Sequence, residues 1–570
     1  MDNYLSVYPD KEEHLLWDSE PIPFFMSPAI VKTRADRYTL LIPNPLKPEL
    51  FSVRVYSAIS VVGDHDFPLD RAWALQQIYS SSEFVADSNG AGGVWQHNEI
   101  GETFKVTIIT KLAMLGILKF STLDPMGMGV EMEGGKPGWN DAMNGLPGLI
   151  GSGMAETYEM LRIIKFVKNA VMKHDRNINF PNEFIEFLAS IEINLQMYDK
   201  SLKDKVAEFE YWDKSNDARE KYRLDTTVFF TGVSTDISST RMISLLSAME
   251  IKINQGIDRA LSTVADGISP SYFYYECVSY GIIQKKNDTE IIIPKPIVGT
   301  PTLPLPVPKI FCKEFTMHTL PIFLEGPVRH MKILSDKKQI QDVYERTKSS
   351  DIYDKSLQMY KLSESLENMG QDVGRMKAFS PGWLENQSIW LHMSYKFYLQ
   401  LLRGGLYSEF YNEISTGLVP FMNNKKYGRS PLEAASFIVS SSFPDEKLHG
   451  SSFLARLTGS TAEMMSMWMI MMTGHNVFTI DRDNNLLLTL EPILPGWLFD
   501  DEGKISFTFL GEIVVTYYNS LKVDTWTVTP QTAKIIYKDG SRAEYEDAIL
   551  KGRVAEKVRS LLVSSIDIFY

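Results

Sequence analysis

The chain predicts a mainly α fold: an α/α toroid (a six-hairpin barrel, complete or incomplete) followed by a C-terminal antiparallel β domain. Three observations predict it. Helical spacing dominates from Ser152 onward, the helices are joined by short connections, and beyond His475 the apolar period changes to two. At 570 residues the chain is far beyond one minimal core, so one large domain plus a smaller one is expected. The division read from the pattern is a strand-rich segment over 1–66, the catalytic toroid over 67–478, and the β domain with a final helix over 479–570.

Taken in order, the first sixty residues alternate apolar and polar, as in Phe51-Ser52-Val53-Arg54-Val55-Tyr56, which is a strand period. Pro68 then opens a short helical stretch carrying Leu69, Trp73 and Leu75. Met154, Tyr158, Leu161 and Ile164 recur at helical spacing. A longer run follows Pro181 with Phe184, Phe187, Leu188 and Ile191, and another helix covers 242–261. Six prolines in 294–308 exclude a regular helix there, because each removes a donor and fixes φ, so the segment reads as an extended loop. Directly after it, Leu320-Pro321-Ile322-Phe323-Leu324-Glu325-Gly326-Pro327 sets one carboxylate in an apolar turn. Glu325 is either a substrate contact at a barrel mouth or a cap for the turn, and the cap is the favoured reading.

Residues 387–403 read as a helix closed by Gly404-Gly405, 407–422 as its antiparallel neighbour, and 460–473 as a helix ended by Gly474. Strands are expected near 486–490, 505–510 and 512–518, with a hairpin at Asp539-Gly540 and a last helix near 547–562. No repeat of 20 to 50 residues is visible.

Composition narrows the function. Hydrophobic content of 44% and charged content of 23% are those of an ordinary globular protein. A net charge of −13 without a basic block disfavours nucleic acid, whose phosphate backbone requires clustered Lys and Arg. The longest apolar run, 464–472, is too short to span a bilayer, so no membrane association is expected. Cys277 and Cys312 are the only cysteines, which argues against a disulfide framework and for a reducing compartment, and neither is expected to be catalytic. No signal peptide is readable at Met1-Asp2-Asn3-Tyr4, and a cytoplasmic location is expected. Asp64-His65-Asp66 looks metal-like, yet alternate residues of an extended chain point to opposite faces and no further ligand has suitable spacing, so no metal is assigned.

The most informative stretch is Gly134-Gly135-Lys136-Pro137-Gly138-Trp139-Asn140-Asp141-Ala142-Met143-Asn144-Gly145. It sets one carboxylate beside an indole and two amides in a Gly/Pro-bounded loop. Trp139 offers a flat apolar face to a pyranose ring, Asn140 offers paired donor and acceptor groups to hydroxyls, and a carboxyl packed against an aromatic can hold its proton near neutral pH. Asp141 is the candidate general acid. Lys136 is a candidate cation for the substrate, or simply solvated. The same residues also make ordinary surface turns.

Trp139-Asn140-Asp141, with Met143-Asn144, resembles the Trp-Asn-Asp signature of the cellobiose-phosphorylase family, the inverting β-glucoside phosphorylases and their β-glucan-oligosaccharide relatives. Two further segments resemble the family in the same order. Glu385-Asn386-Gln387-Ser388-Ile389-Trp390-Leu391-His392 is similar to its Glu-Asn segment with a His seven residues on, and Arg456-Leu457-Thr458-Gly459-Ser460-Thr461-Ala462 to its Leu-Thr-Gly-Thr-Ala segment. The resemblance runs from about Gly134 to the C-terminus and is thin across 170–370. It implies the same toroidal architecture, a sugar contact at Glu385, and phosphate contacts at His392, Thr458 and Gly459. It also implies an N-terminal β-sandwich and barrel helices ahead of the signature, whereas 138 residues precede Trp139. The chain is therefore expected to be a shortened member or the C-terminal half of a longer enzyme, and the expected protein partner is either a second copy in a homodimer or a companion chain supplying the N-terminal half. Gly138 stands where many members have Asp, which removes that contact.

An inverting hydrolase needs an acid and a base across the ring, whereas a phosphorylase needs only the acid, since phosphate is already a nucleophile. The expected reaction is phosphorolysis of a β-linked gluco-oligosaccharide to α-glucose 1-phosphate, with inorganic phosphate as co-substrate and no organic cofactor. Ser460 and Glu463 form an S-x-x-E capping box that would start a helix, whose N-terminus attracts anions; such boxes also occur without ligands. His392 reads from its helix alone as a packing partner, and Glu385 as an N-terminal helix acid or a residue of the preceding loop. The rival expectations are an inverting glycoside hydrolase with Glu385 or Glu463 as base, and a non-catalytic glucan-binding or partner subunit.

Overall fold

The computed structural model describes residues 1–26, 29–41, 52–55, 59–61, 94–135, 137–227, 229–283, 309–455 and 459–570. They form two compact units. The larger comprises Ser19–Trp390 and Phe437–Phe453; the smaller comprises Met1–Asp18, Leu391–Ser436 and Leu454–Tyr570.

The larger unit is built on helices whose ends are fixed by short polar side chains. Thr107 caps Ile108–Phe120 by accepting from Thr110 N, Asp204 caps Lys205–Asp225 by accepting from Val206 and Ala207 N, and Ser238 caps Ser239–Ser262 by accepting from Arg241 N. Met154–His174 is the central helix. It packs on Ile108–Phe120, Ser239–Ser262 and Glu325–Met331, while Asn182–Asp199 pairs with Lys205–Asp225. Its Tyr158, Leu161, Ile164 and Val167 are fully buried, as their helical spacing predicts. Beside these helices lies a four-stranded antiparallel sheet in the order Val130–Glu131, Ser152–Gly153, Tyr272–Ile282, Ile310–Thr319. The loop from Met132 to Gly151 that carries Trp139 therefore leaves and re-enters one sheet edge, and Met132 N closes it on Gly151 O at 2.9 Å.

In the smaller unit a five-stranded sheet runs Lys504–Phe509, Ile513–Tyr518, Val563–Phe569, Thr532–Tyr537, Arg542–Tyr545, with the second and third strands parallel. Ile513, Val515 and Tyr517 are buried on one face, while Val514 points outward. A three-stranded sheet joins Phe478–Ile480, Leu486–Thr489 and Ile549–Lys551. Helix Leu391–Arg403 packs on Tyr407–Gly417 and on Gly459–Thr473.

The expectation of a mainly α toroid with a C-terminal β domain is overturned. Helix accounts for 44% and strand for 22%, the strands fall into many small separate sheets, and no barrel closes among the described residues. The physical reason is visible in the long hairpin Tyr272–Ile282/Ile310–Thr319. Its Tyr272, Phe273 and Tyr275 are strand formers with buried rings, and they occupy a stretch where a toroid would require another helical pair. Near the C-terminus, the helix read over 547–562 is shorter: Ile549–Lys551 is a strand, Gly552 turns at φ 54°, and only Arg553–Arg559 is helical. The Pro68 stretch, Asp64-His65-Asp66 and the six-proline segment lie outside the described residues. Among the described residues no helix is long and apolar enough to cross a membrane, and no cluster of three or more His, Cys, Asp or Glu could hold a metal ion.

Candidate functional site

The loop bearing Trp139, Asn140 and Asp141 is fixed from three sides, all within the larger unit. At its root, Glu133 is buried and pairs with Arg219 at 2.6 Å and Arg223 at 2.8 Å, with Arg37 at 3.6 Å. These guanidinium groups hold the Glu133 carboxyl well below the usual carboxylate range against the cost of burial. Its neighbour Glu131, which accepts from Trp212 Nε1, is pushed up to about 7 by burial and then by the Glu133 charge.

At its middle, the indole Nε1 of Trp139 donates to Glu325 Oε2 at 2.5 Å, and the same oxygen accepts from Tyr272 OH at 2.9 Å. Glu325 is 1% exposed, opens helix Glu325–Met331, and lies 3.4 Å from Arg329 Nη2. Its expected role as a cap for the turn is thereby corrected. The carboxylate is the anchor of the Trp139 ring. Glu156, on the central helix, approaches the loop at Gly138, where a Cβ would stand 3.1 Å from Glu156 Oε1. Burial, and next the charge of Glu325, raise Glu156 to about 7, opposed by Lys119 and Arg329.

At its tip, Asn140 is buried and its Oδ1 accepts from Ala142 N at 3.3 Å, opening the single turn Asp141–Met143. The segment that follows docks on 370–378: Gly145 N donates to Val373 O at 3.2 Å and Arg375 N to Asn144 Oδ1 at 3.0 Å. This approach explains Gly374, at φ 132°, where a Cβ would meet Ala142 O at 2.6 Å and Asn144 N at 2.7 Å. Asp141 itself is exposed, and among the described residues no hydrogen bond or ion pair engages its carboxylate.

Glu385 comes to the same place by a different route. The helix expected over 387–403 starts only at Leu391, so Glu385 belongs to a tight turn in which Gly382 N donates to Asn386 O at 2.8 Å. Trp383 seats this turn against Phe437, Phe443 and Phe453 at ring distances of 5.2, 5.6 and 4.7 Å. Burial raises the Glu385 carboxyl, Asp141 adds a smaller push upward, and Arg375 opposes both. Its Oε2 is buried with no hydrogen-bond partner among the described residues. Sequence distance hid the action of the Asp141 and Arg375 charges on Glu385, and nothing in the spacing of Arg375 or Glu156 announced either residue.

The remaining predicted residues belong to the smaller unit or lie outside the described residues, as Lys136 and Thr458 do. Helix Gly459–Thr473 starts against the imidazole of His392, close enough that a Cβ at Gly459 would collide with the ring. Ser460 is buried within that helix, and Glu463 is not spent on a capping box: its carboxylate is bonded by Lys396 and lies 3.9 Å from His392 Nε2. Lys396, one turn beyond His392, is the cation that a spacing of four on one helix face could have flagged.

Comparison with known proteins gives no match, either to a family model or to a curated sequence.

In the fold, the Glu156 carboxyl yields a pH prediction. Its native pKa near 7 lies above the ordinary 4.5, so between these values the native state holds a proton that the unfolded chain has lost, and stability falls as pH rises through the window. Glu156→Gln should flatten that slope for the Trp139 loop, read as amide exchange of 139–145 from pH 4.5 to 7. An unchanged slope would separate Glu156 from the loop.

Proposed function

We propose that the chain catalyses inverting phosphorolysis of β-linked glucosides. Asp141 gives its proton to the glycosidic oxygen as the C–O bond breaks, an oxygen of inorganic phosphate forms the new bond at the anomeric carbon, and the products are α-glucose 1-phosphate and the shortened sugar. The observation that supports this reading best is the pre-set loop: the Trp139 ring held by Glu325, the Asn140 turn, and an exposed Asp141 carboxylate left without a bonding partner among the described residues. A catalytic carboxyl must meet substrate, and rigid placement of its neighbours is what makes it effective. The direct test is to incubate the purified chain with a panel of β-linked disaccharides and oligosaccharides, with and without phosphate, and to assay glucose 1-phosphate. Sugar release that ignores phosphate overturns phosphorolysis.

That outcome would favour the second reading, hydrolysis, which one observation supports: Glu385 places a second carboxyl within electrostatic reach of Asp141, as acid and base require. Phosphate contacts are assigned to His392, Thr458 and Gly459 on the resemblance alone. If His392 binds phosphate, His392→Ala should raise the phosphate KM by roughly ten- to a hundredfold, the equivalent of about 1.5–3 kcal/mol for one charged hydrogen bond. Because Glu463 neutralises Lys396 and stands beside His392, Glu463→Gln should lower the same KM. Unchanged phosphate dependence in both variants would displace the assignment.

A further inference from the structure

Cys277 and Cys312 are the only cysteines in the chain, and the hairpin Tyr272–Ile282/Ile310–Thr319 carries both. Its ladder pairs Cys277 with Phe315, Ser279 with Glu314 and Tyr280 with Cys312, while Val278 and Lys313 drop out at an irregular step. In a regular ladder the Cys277 and Cys312 rungs would stand three apart, and the two side chains would point to opposite faces. The irregular step leaves one rung between them, so both side chains share a face as diagonal neighbours. That face is the inner one: the cysteines are 7% and 9% exposed, whereas Val278, Phe311 and Lys313 are exposed.

The two thiols meet across this diagonal. Cys277 leans along its strand toward the Cys312 rung and donates to Ser279 O at 3.2 Å. Cys312 is hydrogen-bonded to the Cys277 sulfur. That bond lowers the Cys277 thiol below the ordinary thiol range, burial opposes it, and the Lys313 amide adds to it; the same bond, and then burial, raise Cys312. One thiol is therefore the readier nucleophile, and the other lies beside it. Diagonal Cα atoms of a ladder stand about 7–8 Å apart, at the upper limit of what a disulfide spans, and the step where two residues leave the ladder is where the backbone can close the remainder. Ile310–Thr319 is the outer strand of the four-stranded sheet, so local opening at that edge admits a small reagent.

We propose that Cys277 and Cys312 form a reversible disulfide that ties the outer strand of this sheet to the strand that carries Tyr272. A count of two cysteines argues against a disulfide framework but leaves room for one such bond. The oxidant it needs is a small-molecule disulfide. The Cys277 thiolate attacks one sulfur of that disulfide, whose S–S bond breaks, and one half leaves as a thiol with the proton that Cys277 gave up. The Cys312 thiolate then attacks the Cys277 sulfur and expels the second half, which leaves as a thiol with the Cys312 proton. Two protein thiols are oxidised and one small disulfide is reduced to two thiols. The bond would brace the Trp139 loop from behind, because Tyr272 OH donates to the Glu325 oxygen that holds the indole, but its formation does not depend on the glycoside reading.

The test counts thiols on the full chain. Wild type and Cys312→Ser are equilibrated under native conditions with excess oxidised glutathione, then unfolded, alkylated with a maleimide and measured by intact mass. The wild type should lose both alkylatable thiols together, retain no glutathione and recover both thiols after dithiothreitol. Its non-reduced digest should join the peptide holding Cys277 to the one holding Cys312. Amide exchange of Ile310–Thr319 should slow by about tenfold or more on oxidation of the wild type and stay unchanged in Cys312→Ser, which cannot close the bond. The proposal is overturned by two alkylatable thiols persisting in the wild type, by a wild type that stops at a mixed disulfide, by a bond that joins two chains, or by oxidation that leaves the exchange of Ile310–Thr319 as it was. Should the variant fail to fold, the wild-type measurements decide alone.

Discussion

Asp141→Asn should slow phosphorolysis of a plain β-linked disaccharide by roughly 10²–10⁴, because the amide keeps the shape of the side chain but cannot give up a proton. The substitution leaves the loop in place. Its fixing bonds are donated by Trp139 Nε1 to Glu325, by Ala142 N to Asn140 Oδ1 and by Arg375 N to Asn144 Oδ1, and none uses the Asp141 carboxylate. An activated aryl β-glucoside needs little protonation of its leaving group, so its turnover should fall far less. Equal loss on both substrates would mean that Asp141 positions the sugar. The proton donor would then be sought at Glu385, whose half-buried carboxyl keeps its proton to higher pH than an ordinary glutamate does. Running Glu385→Gln on the same two substrates decides between them: the true donor is the position whose loss depends on the leaving group.

Much of the local structure was legible because its cause is local. Tyr158, Leu161 and Ile164 repeat at helical spacing and are buried in Met154–His174; the run after Pro181 is the helix Asn182–Asp199; and the reading of 242–261 falls inside Ser239–Ser262. Period-two alternation likewise located Ile513–Tyr518, and Asp539-Gly540 turns between Thr532–Tyr537 and Arg542–Tyr545. The toroid failed because it joined such elements by connection length, and length does not say which faces meet. Tyr272–Ile282 pairs with Ile310–Thr319 across a long connection, and that pairing is non-local.

The site divides along the same line. Trp139, Asn140 and Asp141 stand together in sequence, so their chemistry could be read. What holds them is remote. Glu325 lies 186 residues from Trp139 and looked like a turn residue, since no local signal distinguishes a cap from a buried acceptor for an indole N–H. Glu385 reads either as a helix-start acid or as a residue of the preceding loop, and the loop it is: Leu384 and Gln387 take positive φ of 47° and 58°, which folds the chain into the tight turn that brings the carboxyl within reach of the Asp141 charge.

Removing the charge at Glu133 should be the most damaging change to the fold. Arg219 is fully buried, and Glu133 is the carboxylate that it shares with Arg223 and Arg37. Glu133→Gln preserves volume but removes the carboxylate that pairs with all three cations, and breaking a buried pair from one side costs about 3–5 kcal/mol. Arg219→Met should cost less, because Glu133 keeps Arg223 at 2.8 Å. In the double variant the losses should fall short of their sum, since both act on one interaction. With two compact units, a single melting temperature is a poor measure, so the readout is amide exchange in Lys205–Asp225 and in 132–145. The pH dependence has a definite sign. A carboxyl held below its ordinary 4.5 contributes stability that is present above that value and is lost as pH falls through the lower native pKa. Wild-type protection of Lys205–Asp225 should therefore decline in acid, and Glu133→Gln should remove the part of that decline that belongs to Glu133. If Glu133→Gln left exchange unchanged in both segments, the buried charges would not be what holds the root of the Trp139 loop, and its placement would have to come from Glu325 and the 370–378 segment alone.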